Sequence, residues 1–184
     1  LLYKEYAQTH KVNYKMKFEA QYFERLYDQA DIVLIPSFQN KKEKHILYTY
    51  ISPIVRQKPE ELPSEQVLMK ELHLKKKPLL VMLGGSDFGT QLARHINQLA
   101  SHFPDELFLI FGGNLNLSFA KNVQYIKYTP DFLRYLKVCR GVITLAGQKT
   151  LSESLIYEKP ILCFPIQDHI EQVLNAYALE KVAL

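Results

Sequence analysis

From Pro78 onward one rhythm governs the sequence: a continuous apolar run, a glycine-bearing or polar break, then apolar residues at helical spacing. The apolar runs cover residues 79–83, 107–111, 123–128, 142–145 and 161–164. A strand that is apolar at every position, not at alternate ones, has both faces covered, as in a parallel sheet with helices on either side. Helices are marked by Leu92, Ile96 and Leu99 after the first run, and by Thr129 as N-cap with Pro130 at the first helical position after the third. Another starts near residues 147–150, and a last one carries Ile170, Leu174 and Tyr177. The expected fold class is α/β, with a doubly wound, mostly parallel sheet. Ligands of such sheets sit beyond the C-terminal ends of the strands, so the loops after the runs are the place to look for chemistry.

The first 77 residues read differently. Residues 14–30 have the spacing of an amphipathic helix, with Phe18, Tyr22, Leu26 and Ala30 along one face, and a short apolar run at 31–36 follows. Polar residues 37–45 lead to a strand-like run from Ile46 to Tyr50 and the segment Ser52-Pro53-Ile54-Val55-Arg56. A Pro- and Glu-rich stretch then enters a short helix capped by Ser64, with Val67, Leu68 and Leu72 on one side. The expected division is residues 1–37 as the closing helix and strand of a preceding domain, 38–77 as hinge and first strand, and 78–184 as the main domain. The chain starts without Met and ends inside a helical pattern, so it is expected to be part of something larger.

With 184 residues and 47% apolar content the chain can fill one full core with part of a neighbour, which excludes a disordered chain, a collagen-like repeat or a disulfide-stapled miniprotein. The two cysteines, Cys139 and Cys163, stand in apolar surroundings, as buried thiols of a reducing, cytoplasmic compartment do. No apolar run reaches the 18 residues of a membrane span. The net charge of +4 arises in residues 1–77, with 14 Lys and Arg against 10 Asp and Glu, while residues 78–184 carry nine of each. The basic runs Lys41-Lys42-Glu43-Lys44 and Lys75-Lys76-Lys77 are not interleaved with aromatics on any recognition element, which argues against nucleic acid as partner.

All seven glycines fall between residues 84 and 147. Gly84-Gly85-Ser86 follows the first strand, where bare amides suit a phosphate; a tight strand-to-helix turn would use the same residues. In Gly147-Gln148-Lys149-Thr150-Leu151-Ser152-Glu153 a helix again opens on a glycine, and Glu153 can accept hydrogen bonds from a ribose diol or simply complement the helix dipole. Residues 165–176 gather polar side chains, Glu171 and Gln172 among them, that could hydrogen-bond sugar hydroxyls or form a solvated helix start. Cysteine and histidine spacing fits no metal site, GxSxG is absent, and no DxD pair is present to hold a divalent cation, so neither a metal nor another cofactor is expected.

Taken in order, Gly84-Gly85-Ser86, GxxTxxE at 147–153 with Pro160 beyond it, and Glu171-Gln172-x-x-Asn175-Ala176 resemble the donor-binding half of two-domain GT-B glycosyltransferases over about residues 46–184. The similarity is to the lipid II N-acetylglucosaminyltransferases, the UDP-glycosyltransferases and related archaeal and bacterial transferases. It implies a Rossmann-like half of a GT-B fold, with residues 1–37 ending an N-terminal acceptor domain. It also implies a UDP-sugar donor, with Glu153 on the ribose hydroxyls, and Glu171 and Gln172 on the sugar ring. Tyr128 with Pro130 resembles a WxPQ segment that sets an aromatic against uracil. Gly84, Gly85, Ser86 and the amides of Gly147, Gln148, Lys149 and Thr150 would surround the pyrophosphate. Arg56 resembles the arginine closing an NPVR segment and would offset phosphate charge. The resemblance fails at Leu145, where these families carry Arg or His. The acceptor is left open, a lipid-linked one with peripheral membrane contact included. So are two other activities, a UDP-sugar hydrolase or 2-epimerase and a non-catalytic nucleotide-sugar-binding subunit.

Overall fold

A computed structural model describes residues 2–38, 48–84 and 88–182 of the chain. These form two compact units: Leu1–Ile54 with Pro165–Leu184, and Val55–Phe164. The boundaries differ from the divisions at 37/38 and 77/78 suggested by the sequence. Residues 55–77 join the main sheet domain because side chains of that domain hold them. The Lys137 ammonium donates to the carbonyls of Pro59 (2.8 Å) and Leu62 (2.9 Å), and Leu68 is fully buried.

The first unit contains α1 (Leu2–Thr9), α2 (Tyr14–Tyr27), the parallel pair β1 (Val33–Pro36) and β2 (Tyr48–Ile51), and the last helix, α7 (Ile170–Val182). Asn13 caps α2, its side-chain oxygen accepting from the Met16 N–H at 2.9 Å. A small core of Met16, Ala20 and Ile170 forms where α2 meets α7. The face expected to be buried is therefore the wrong one. Phe18, Tyr22 and Leu26 are 70%, 54% and 43% exposed, and α2 ends at Tyr27, short of Ala30. The neighbouring helices occupy the Met16–Ala20 side instead. Of the strand expected from Ile46, residues 46 and 47 lie outside the described residues.

The second unit contains α3 (Glu65–Glu71), β3 (Leu79–Met82), α4 (Phe88–Ala100), β4 (Phe108–Phe111), β5 (Val123–Ile126), α5 (Phe132–Val138), β6 (Gly141–Thr144), α6 (Gln148–Ile156) and β7 (Ile161–Cys163). The sheet is wholly parallel in the order β5-β4-β3-β6-β7. Alternate residues of its strands feed two cores. Leu80, Leu109, Phe111 and Val142 pack with Phe132, Leu133 and Leu136 of α5, while Val81, Phe108, Ile110 and Ile143 pack with Ala93, Ile96 and Ala100 of α4. That two-sided burial is why the runs are apolar at every position.

Two helix expectations change in detail. Leu99 of α4 is 52% exposed, because Ala93 and Ala100 with Ile96 form the face against the sheet. Thr129 caps a turn ahead of the helix, its Oγ1 accepting from the Asp131 N–H at 3.0 Å, so α5 starts at Phe132 and Pro130 stays outside it. Ser64 does cap α3, accepting from the Val67 N–H at 3.5 Å.

Candidate functional site

In the second unit the turns after β3, β4 and β6 lie at the C-terminal rim of the sheet. Gly84 leaves β3 with φ +68°, a conformation open to glycine at little cost. A Cβ on Gly112 would approach the Gly84 carbonyl to 3.3 Å, and Leu145 reaches within 4.0 Å of the Cβ position of Gly84, so the three turns run close together. Gly85 and Ser86 lie outside the described residues. Leu145 is buried and apolar.

Beyond Leu145, Gly147 is the N-cap of α6, and its own N–H donates to the Leu145 carbonyl at 2.8 Å. Nothing lies within 4 Å of where its Cβ would be, so the backbone is open there. Gln148, Lys149 and Thr150 form the first turn of the helix, with Lys149 exposed and the other two half-buried. Their N–H groups have no carbonyl one turn earlier within the helix, which gives this end a partial positive charge.

One turn further, Glu153 is almost fully enclosed, with 1% of its surface exposed. Both of its oxygens accept from Arg56, Oε1 from Nε at 2.7 Å and Oε2 from Nη2 at 2.9 Å. The two residues singled out separately from the sequence are thus each other's partners. The bond to Glu153 raises the Arg56 pKa against the opposing effect of its partial burial. The Arg56 side chain is 42% exposed, its Cζ stands 5.8 Å from the Phe132 ring centroid, and Tyr128 and Tyr157 lie within electrostatic range of it. Tyr128 itself is 82% exposed after β5.

Tyr157, the C-cap of α6, donates its hydroxyl to the Gln57 carbonyl at 3.1 Å. Glu153 and Tyr157, four residues apart on one face, therefore hold consecutive residues of the 56–57 segment. Burial, with Glu153 nearby, pushes the Tyr157 phenol up to about 12. Sequence reasoning missed Tyr157 and Phe132; the i, i+4 relation to Glu153 was the available signal for the first, and none marked the second.

Glu171 and Gln172 belong to the other unit, in the first turn of α7. Glu171 is exposed, and the Gln172 side-chain oxygen accepts from the Ile166 N–H at 3.0 Å, closing the loop ahead of the helix. In the same loop Asp168 takes φ +60° and its Oδ1 accepts from the Asn13 amide at 2.6 Å. Among the described residues no three His, Cys, Asp or Glu side chains gather as a metal site, and no helix is long and apolar enough to cross a membrane.

Comparison with known proteins bears on the fold and the family. The glycotransferase of kitacinnamycin superposes with a TM-score of 0.60 over 83% of this chain and 40% of its own, at 19% identity. The spinosyn forosaminyltransferase SpnP does so at 0.56 over 94% and 49%, at 14% identity. Both share the fold, the Rossmann-like half of the GT-B architecture. In sequence, an uncharacterised glycosyltransferase of Methanopyrus kandleri is 28% identical over 83% of this chain and 46% of its own length. The UDP-N-acetylglucosamine–N-acetylmuramyl-(pentapeptide) pyrophosphoryl-undecaprenol N-acetylglucosamine transferase of Thermosipho melanesiensis is 31% identical over 61% and 34%. The chain thus spans about half the length of the archaeal relative or less of the bacterial one. The profile described as Glycosyl transferase family 1 matches residues 6–184, and the chain belongs to that family.

Proposed function

We propose that the chain is the donor-binding part of a glycosyltransferase that moves a hexose or N-acetylhexosamine from a UDP-sugar to an acceptor hydroxyl without a metal. The observation that carries the reading is the enclosed Glu153, held by the half-exposed Arg56 one turn behind the open amides of α6, at the rim where such sheets take ligands. The relatives' names support it, the Thermosipho transferase being named for a UDP-sugar donor.

On this reading Glu153 accepts from the ribose hydroxyls, Tyr128 stacks on the uracil, and Gly84, Gly85 and Ser86 with the amides of Gly147, Gln148, Lys149 and Thr150 serve the diphosphate. The acceptor oxygen forms the new bond to the anomeric carbon as the bond to the diphosphate breaks, and its proton passes to a general base in an N-terminal domain. Helix amides and basic side chains stabilise the departing UDP. The chain by itself binds donor without turnover. A lipid-linked acceptor would bring the basic N-terminal part to an anionic membrane surface.

Leu145 favours a second reading, a nucleotide-sugar-binding subunit without catalysis, because leucine cannot offset charge on a leaving diphosphate where the resembling families have a basic residue. Calorimetry with UDP, UDP-glucose and UDP-N-acetylglucosamine, repeated with Glu153→Ala, tests the first reading. The expected result is binding of UDP that weakens by about 1–3 kcal/mol in the variant; unchanged affinity removes Glu153 from the site.

A further inference from the structure

Glu153 and Arg56 pose a conflict that the proposed function does not resolve. A carboxylate with 1% of its surface exposed and both oxygens on one guanidinium offers nothing for a ribose to touch. Arg56, for its part, has two of its N–H groups committed to that carboxylate and so cannot bring its full fork to a phosphate.

We infer that Arg56 is a specificity-determining cap on Glu153, which a ligand displaces only when it offers a diphosphate to the arginine and a vicinal diol to the glutamate together. This rests on the donor-binding reading above and deepens it. The two partners of the pair are unlike in exposure. Glu153 sits on α6 between the buried residues Ser152 and Ser154. The Arg56 side chain is 42% exposed, while the backbone beside it is pinned by Tyr157 through the Gln57 carbonyl. The guanidinium is therefore the part free to swing, with the backbone fixed. Its planar fork suits a diphosphate as well as a carboxylate, so the exchange conserves its charge-assisted bonds. A bare nucleoside must uncover Glu153 and leave Arg56 with no anion in return; a nucleoside diphosphate supplies both replacements.

The test is titration calorimetry of the full chain with uridine, UDP and inorganic pyrophosphate, on the wild type, Arg56→Met, Arg56→Lys and Glu153→Gln, each first checked for a cooperative thermal transition. In the wild type UDP binds tighter than uridine by about a hundredfold or more. In Arg56→Met the expected result is a loss of UDP affinity of about tenfold or more with uridine affinity equal or higher, so that the ratio collapses. Arg56→Lys keeps part of the UDP preference, since the charge remains. Glu153→Gln frees the guanidinium, so pyrophosphate binds tighter than to the wild type; this variant decides the matter if Arg56→Met does not fold. Equal losses for uridine and UDP in Arg56→Met, or pyrophosphate binding unchanged by Glu153→Gln, overturn the inference while the donor reading stands. A wild type that binds no UDP overturns both.

Discussion

Replacing Gly89 by alanine destabilises the sheet domain, although by helix propensity alone it should help. Gly89 lies in the first turn of α4, where alanine gains up to about 1 kcal/mol over glycine. Against this, a Cβ at Gly89 would stand 2.6 Å from the Leu83 carbonyl oxygen and 2.8 Å from Leu83 Cβ. Both are inside van der Waals contact, and the obstacle is backbone. Leu83 cannot retreat, being fully buried with its N–H donating to the Phe111 carbonyl at 3.1 Å. The helix must shift instead, which loosens Ala93 and Ile96 from the sheet. Overpacking of this kind costs about 1–3 kcal/mol, here toward the upper end, leaving a net loss of about 1–2 kcal/mol. For a chain this size that lowers Tm by roughly 2–8 °C. Thermal unfolding followed by circular dichroism measures it, with Gly147→Ala as a control, since nothing lies within 4 Å of that Cβ position. A Gly89→Ala protein that melts at or above the wild-type temperature refutes the packing argument.

Other expectations follow from the same structure. Cys139 is buried with its thiol pushed up to about 11, above the usual thiol range, so the neutral form is favoured by folding. Its contribution, roughly 2–3 kcal/mol, is fully present below about pH 9 and is lost as pH rises toward 11, a loss absent from urea melts of Cys139→Ala. Asn122→Ala removes an amide that donates to the carbonyls of Ala100 (2.9 Å), Phe103 (2.9 Å) and Glu106 (3.1 Å), and should cost about 1–2 kcal/mol in chemical denaturation. Phe18→Ser on the exposed face of α2 should shift the unfolding free energy of this chain by no more than about 0.5 kcal/mol, whereas a buried phenylalanine would cost several times that.

The parallel sheet was legible because burial on both faces leaves its mark at every residue of a strand, as in Phe108–Phe111, where all four are buried. Helix faces were less so. The periodicity of Phe18, Tyr22 and Leu26 defines a stripe on α2 but not what meets it, and Met16 and Ala20 make the contact. Leu99 misled in the same way: Ala93 and Ala100 let α4 lie close to the sheet, and a larger residue stays outside. At the site, Arg56 and Glu153 were each visible as a residue type in a motif. Their bond spans 97 residues of sequence, which no local spacing encodes. A separation of 100 residues likewise hid the grip of Tyr157 on Gln57.

The strand order β5-β4-β3-β6-β7 begins in the middle and grows outward both ways. Connections leaving β3 and β6 must then depart toward opposite faces, and between them opens a topological switch point, a crevice made by the winding itself. Its walls are the turns that leave the sheet, so exchanges at their exposed positions, Lys149 among them, can retune what is held there while the hydrophobic layers below stay untouched. Diversification of ligand choice in a scaffold so wound requires no new fold, only new loops.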